Sequence, residues 1–436
     1  MKKIIALLAL ALVVAFATGS YAEVQNVKVG GDIRIRATYE AHEDDLTNHE
    51  GDSLGFINQR TRVITEADLT DNVAVNATIE ANGLWGQDDV VDTVNWFDQR
   101  KEWVAGFSEA WVQLSELYYT PLTVKIGRQY LNYGRGFIVS SNEYELNFDA
   151  VKAVLNFEPW TIDGVYAKLV ETSDPTPLFR DAGYDIDLWG GNVHYAADTW
   201  NIEGYVWGVA NKDVPSDLAA KPLVFGIRGD VTPVENLDLW GELSYETGDI
   251  SDPYTLESML LTALGLDAKQ DISAFGTDLG GKYTFANVAW KPTIGIEWAW
   301  AQGDEDDASY QPLFQYNYWG YCFSPRFSNI HIINANLTVE PIEKLALILD
   351  YYHYLQDKAI SQIVGNPAID NGGVMALTNG SEKTLGNELD LIAEYDYTED
   401  VSTQLYLAWF WPGDAYSDTT GKEDAYEVRG EIIVSF

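Results

Sequence analysis

Over residues 425–436 apolar and polar side chains alternate. Tyr426, Val428, Gly430, Ile432, Val434 and Phe436 share one parity, while Glu427, Arg429, Glu431 and Ser435 share the other. A strand points successive side chains to opposite faces, so this stretch predicts a strand with one greasy and one charged side. The two preceding segments repeat the pattern. Leu389, Leu391, Ala393, Tyr395 and Tyr397 alternate with Glu388, Asp390, Ile392, Glu394 and Asp396. After a turn at 398–400, Val401, Thr403, Leu405, Leu407 and Trp409 alternate with Ser402, Gln404, Tyr406 and Ala408. Charges turned into a dry soluble core would be costly, whereas this alternation suits a closed sheet with hydrocarbon outside and water inside. The fold class read from the chain is all-β, a transmembrane antiparallel β-barrel.

The rest of the chain extends the reading. A first strand over about Val27 to Glu40 sets Val27, Val29, Ile33, Ile35, Ala37 and Tyr39 against Lys28, Asp32, Arg34, Arg36 and Thr38. A second, near 56–69, turns Asn58, Arg60, Arg62, Glu66 and Asp68 to the wet side, and a third near 73–81 does the same with Asn76, Thr78 and Glu80. Thereafter one unit recurs: strand, short turn, strand, long loop. Short turns are expected near 117–121, 157–160, 197–199, 233–236, 285–287, 340–344 and 398–400. Long loops are expected near 82–106, 131–146, 171–184, 210–222, 247–271, 302–327, 356–384 and 412–424. Short periplasmic turns opposite long extracellular loops are the asymmetry of bacterial barrels, and the strand count comes to about eighteen. Tyr195, Trp200, Tyr283, Phe285 and Tyr397 fall beside the short turns, where an interfacial aromatic ring sits.

Composition narrows the class. Lys2 and Lys3, an apolar run over 4–17 and Ser20-Tyr21-Ala22 read as a secretory leader, residues 1–22, leaving 23–436 as one barrel domain. The expected location is the outer membrane of a Gram-negative-type bacterium. A formal charge of −40 repels nucleic acid at long range, so none is expected as a partner. The single cysteine, Cys322, allows no internal disulfide and reads as a free thiol in an extracellular loop. None of the five histidines sits in a recognisable serine or metal motif, and no phosphate-cradling glycine loop is present. No catalytic residue, metal site or cofactor is assigned, and the chain does not read as an enzyme. Gly303-Asp304-Glu305-Asp306-Asp307 reads as a solvated loop; calcium is the alternative, although the spacing is not that of a known calcium loop. The long loops from 247 and 356 are candidates to fold inward, with a short helix over 256–266.

Three stretches carry a likeness. One is Gln59-Arg60-Thr61-Arg62 followed by Glu66-Ala67-Asp68-Leu69. Another is Val124-Lys125-Ile126-Gly127-Arg128-Gln129, leading through Tyr133-Gly134 to Asn147-Phe148-Asp149-Ala150-Val151. The last is Leu385-Gly386-Asn387-Glu388-Leu389-Asp390 with Phe410-Trp411-Pro412-Gly413-Asp414-Ala415. Together they resemble the alginate-export family of outer-membrane proteins over nearly the whole chain. The resemblance implies an eighteen-stranded monomeric barrel acting as a secretion pore, its lumen lined by arginines that conduct a polyuronate. Here Tyr133-Gly134 continues as Arg135-Gly136-Phe137, a shift from the family's usual polar-then-arginine continuation.

The pore-lining residues follow from parity and closure. Arg34, Arg36, Arg60 and Arg62 lie on wet faces of neighbouring strands, and closure brings Arg429 beside them. Lys125 lies on a further wet face. Arg128 matches the family motif yet shares the outward parity of Val124 and Ile126, so a bulge would be needed to turn it inward. Glu388 and Asp390 complete the set, beside carboxylates such as Glu242, Asp278, Glu297 and Asp350. A basic strip opposite an acidic wall sets up a transverse field. The arginines also have a purely structural reading, pairing with Glu66, Glu80, Glu427 or Glu431. The function expected is an outer-membrane channel for a hydrophilic solute, with an anionic polysaccharide as the solute that the resemblance implies. A general or cation-preferring porin and a plugged structural or adhesion barrel stay open. Other expected partners are outer-membrane lipid and the assembly machinery, engaged through the last strand ending in Phe436.

Overall fold

The chain is described here from a computed structural model, over residues 26–42, 46, 53–86, 104–135, 138–141, 147–171, 185–212, 221–251, 269–313, 319–362, 364, 376–416 and 421–436. Its alternating segments are β1 (Asn26–Ala41), β2 (Ser53–Thr70), β3 (Val73–Leu84), β4 (Val104–Leu114), β5 (Leu122–Gln129) and β6 (Phe148–Phe157). Next come β7 (Trp160–Glu171), β8 (Asp185–Ala196), β9 (Trp200–Lys212), β10 (Leu223–Val234), β11 (Leu237–Ser251) and β12 (Lys269–Thr284). The last are β13 (Thr293–Ala301), β14 (Ile330–Ile342), β15 (Leu345–Gln356), β16 (Thr384–Asp396), β17 (Val401–Pro412) and β18 (Ala425–Ser435). Each pairs antiparallel with its sequence neighbours in one eighteen-stranded sheet.

The sheet closes on itself. β1 pairs with β18 from Asp32↔Ser435 to Ala41↔Tyr426, and Gly31 and Phe436 exchange backbone hydrogen bonds at 2.9 and 3.0 Å. Closure removes the open edge that hydrocarbon could not solvate. The period-two pattern then places every greasy parity outside: Val428, Leu407, Leu391 and Ile227 remain 40–50% exposed on a surface that lipid covers. Ring clusters mark the turn end, with Trp160, Tyr195 and Trp200 in successive contact at 4.8 and 5.1 Å, and Tyr283 against Phe285 at 4.8 Å. The connection from β12 to β13 is longer than the expected turn at 285–287, running from 285 to 292 and tied down by Lys291 to Glu340 at 2.8 Å.

Parity is interrupted where it matters for the lumen. A register shift between Thr78 and Ile79 leaves Ser108 as an extra residue on β4, so Phe107 faces out while Glu109 and Trp111 face in. The apolar core lies at the loop end of the barrel, where loop residues such as Leu131, Ile138, Tyr310, Phe323 and Phe327 pack on wall residues such as Leu188, Trp207, Tyr354 and Phe410. Cys322 is the free loop thiol expected from sequence, lying between β13 and β14, and the structure adds that it is fully buried in this core.

The seam offers a direct test of closure. A Cβ on Gly31 would stand 2.2 Å from the Arg62 carbonyl oxygen and 2.9 Å from the Phe436 ring. Overpacking of this kind costs about 1–3 kcal/mol. Gly31→Val is therefore expected to lower the unfolding free energy in lipid vesicles by about that amount, read from urea titrations against the parent barrel.

Candidate functional site

Inward parity brings like charges face to face across the ladder. Arg34 lies directly opposite Arg60, and Lys125 opposite Lys152. On other parts of the wall Glu242 faces Asp278, Asp350 faces Asp390, and Glu40 faces Glu427. Like charges directly opposite destabilise a sheet, so each pair needs compensation from a neighbour. On β18, β1 and β2 that compensation is local. Arg36 bonds Glu431 at 2.5 Å, Arg62 and Arg60 share Asp32 at 2.6 and 3.4 Å, and Arg429 lies 2.7 Å from Glu427. Arg34, Arg36, Arg60 and Arg429 keep only 4–9% of their side chains exposed. Arg62 keeps 27%, so of these five arginines it alone presents a sizeable surface to the lumen.

The acidic wall is occupied chiefly by loops. The long loop between β5 and β6, the third when the β1–β2 connection is counted as the first, reaches the wall at β7 and at β10–β13. Tyr133 Oη donates to Asp163 at 3.1 Å, Arg228 donates to the Gly134 carbonyl at 2.9 Å, and the Arg135 amide donates to Glu242 at 2.7 Å. The Arg135 guanidinium then bonds Asp278 at 2.6 Å and lies 4.4 Å over the Trp240 ring. Gly134 has φ +66°, and a Cβ there would come within 2.4 Å of Glu242 Oε1, so this close crossing requires glycine.

The seventh long loop, between β13 and β14, also turns in. The Gln311 amide donates to Glu246 at 2.9 Å, while the amides of Tyr321, Cys322 and Phe323 all donate to the Glu388 carboxylate at 2.7, 2.7 and 2.9 Å. Phe323 stacks on Phe410 at 4.4 Å with rings nearly parallel. The same segment puts Tyr321 5.6 Å from the Arg429 guanidinium.

Several sequence-level expectations change. Arg128 is not in the lumen: it stands on the outer face, paired with exposed Asp149 at 2.9 Å, because β5 keeps its outward parity through 124, 126 and 128. Glu388 and Asp390 do lie on inward parity, yet both are fully buried, Glu388 beneath the seventh loop and saturated by its amides. Neither carboxylate presents a surface for direct solute contact. Among the described residues, loop segments near 131–146 and 302–327 turn inward. The loop from 356 contributes buried Val364 and Ala376, and the expected helix over 256–266 lies outside the described residues. At 304–307 the Asp304 carboxylate accepts the amides of Asp306 and Asp307 at 2.9 Å, which holds its pKa below the ordinary carboxylate range. Among the described residues no cluster of His, Cys, Asp and Glu has the geometry to hold a metal ion.

Arg135 and Arg228 were missed. Arg228 stood on wet parity among carboxylates and could have been found by the period alone; Arg135 sits in a loop, where no period operates. They join Lys125 and Lys152 in one row. Lys125 lies 3.7 Å over the Trp111 ring, and Lys152 lies 4.9 Å from the Tyr133 ring and 3.4 Å from Asp163. Lys152, Arg135 and Arg228 keep 25–27% of their side chains exposed.

A closed eighteen-stranded barrel with an apolar exterior, a charged interior and loops folded into it defines an outer-membrane channel. Two comparisons agree. The family model for alginate export matches residues 25–428, and the chain belongs to that family. Similar solved structures include Pseudomonas aeruginosa OccK8 (OprE), 11% identical with TM-score 0.59, covering 96% of this chain and 99% of that one. Acinetobacter baumannii OccAB1 is 13% identical with TM-score 0.59 over 96% and 99% of the two chains. Pseudomonas aeruginosa OpdK, solved with vanillate, is 10% identical with TM-score 0.54 over 94% and 98%. These likenesses are of fold. None of the curated proteins matches the sequence. The chain is a membrane-embedded transport channel of the outer membrane.

The Glu388 latch has a built-in reporter, because Cys322 is both the only cysteine and buried within the latched segment. Leaving a buried amide without its acceptor costs about 1–3 kcal/mol. Glu388→Ala is expected to raise the rate of maleimide labelling at Cys322 by roughly tenfold or more, with Glu388→Gln giving a smaller rise.

Proposed function

We propose that this channel passes a carboxylated hydrophilic solute, a uronate-type saccharide or its polymer, along a track of cations and aromatic rings. The observation that carries the reading is the continuity of that track. Lys125 with Trp111, Lys152 with Tyr133, then Arg228 at the Gly134 carbonyl and Arg135 with Trp240 follow one another along the third loop. Cations suit carboxylates, and ring faces offer apolar surface to the C–H faces of a pyranose. Arg62 adds an exposed cation on β2. The arginines at 34, 36, 60 and 429 serve chiefly to neutralise Asp32, Glu427 and Glu431 and to set the potential behind the track.

Selection in this reading rests on charge and width, with diffusion down a gradient as the driving process. One chain closes the whole barrel, so a single copy suffices to form the pore, and a monomer is part of the proposal. A leader over 1–22 and recognition of β18 by assembly machinery complete the proposal. A cation-preferring porin is the competing reading, favoured by the carboxylates at Glu242, Asp278 and Glu297 that surround Arg135.

Reversal potentials across planar bilayers under a salt gradient separate the two. The expected result is anion preference that falls in Lys125→Ala/Lys152→Ala and shifts toward cations in Arg135→Ala, which leaves Asp278 and Glu297 uncompensated. Arg128→Ala, on the outer face, should leave the potential unchanged. Cation preference in the parent protein would overturn the carboxylate reading and leave the porin.

A further inference from the structure

The outer face of β9–β12 carries a hollow that the channel function does not use. Gly229 of β10 and Gly241 of β11 lie directly opposite each other, both on outward parity. Along the same row stand Ile202 on one side and Leu279 on the other. Above and below, the neighbouring outward pairs are Ile227 with Leu243 and Val231 with Leu239. Six aliphatic side chains thus wall a floor with no side chains of its own. The hollow has a volume of about 670 Å³ and reaches Trp200 at its turn-side rim. A Cβ on Gly229 would meet only the Asn201 carbonyl oxygen, at 3.4 Å, and one on Gly241 would meet the tip of Leu279 at 2.9 Å, so that flexible side chain leans over the Gly241 end of the floor.

Its surroundings define its occupant. The wall side chains are 37–50% exposed and continuous with the lipid-facing band. No water is present in the bilayer core to fill an apolar hollow, so hydrocarbon must. Trp200 belongs to the ring cluster at the turn end, which places the hollow one residue pair inside the periplasmic interface. We infer that this hollow seats an acyl chain of a periplasmic-leaflet phospholipid, held as a resident lipid rather than exchanged with the bulk annulus. Ordinary outward positions present side chains against which a lipid tail slides; a two-glycine floor lets the tail sink to the backbone and gain contact on several sides at once.

The test is native mass spectrometry of the full-length barrel purified in detergent and incubated with phosphatidylethanolamine. The parent protein should retain one phospholipid under conditions that strip the annulus. Gly229→Leu/Gly241→Leu, which fills the hollow, should lose it, and so should Ile202→Ala/Leu279→Ala, which removes two walls without touching the floor. Gly430→Leu, at an outward glycine elsewhere with open space around its Cβ, should keep it. A parent barrel with no retained lipid, or equal retention in all variants, would overturn the inference. A dimer lost in the filled variant would assign the hollow to a second copy of the chain instead.

Discussion

Everything in this structure depends on the pairing of β1 with β18. Hydrocarbon offers no partner to a backbone amide, so a sheet of this size persists in a membrane only if its two edges satisfy each other. Closure converts a two-faced ribbon into an inside and an outside. The alternation at 425–436 then acquires its meaning, with Ile432 and Val428 toward lipid and Glu431 and Arg429 toward the lumen. Gly31 and Phe436 finish the seam.

A polar interior created in this way carries its own constraint, because buried charges need partners. The barrel meets it by two means. On β18, β1 and β2 the arginines and carboxylates neutralise one another within the wall. On β11 and β16 the partners are loop backbone: Glu242, Glu246 and Glu388 accept amides of the third and seventh loops, while on β12 and β13 the Arg135 side chain meets Asp278 and Glu297. Much of the acidity of the lumen therefore organises loops. In the function proposed above, a passing solute meets the row that the third loop assembles, from Lys125 to Arg135, together with Arg62 on β2.

Local pattern explains which functional positions were legible. Arg34, Arg36, Arg60, Arg62 and Arg429 sit in uninterrupted strands, so parity sufficed to place them inside. Parity also placed Arg128 outside, and the motif resemblance pointed the other way; the strand won, because one residue off register would have exposed Ile126 and Val124 to water. Glu388 was placed on the correct face, but its role changed once the amides of 321–323 arrived from more than sixty residues away in sequence. Arg135 had no periodic signal, since a loop residue takes its position from what it docks on.

The sequence by itself determined the barrel, its sidedness and the sign of each face, because a period of two read against hydrocarbon and water admits one arrangement. The strand count followed from the rhythm of short turns and long loops. Tertiary structure alone decided which lumen charges stay exposed and which are covered. Burial depends on which loops fold inward, and that depends on contacts such as Gly134 against Glu242 and Phe323 against Phe410, whose partners lie far apart along the chain. It also decided the hollow at Gly229 and Gly241, since two glycines make a pit only when the register sets them side by side.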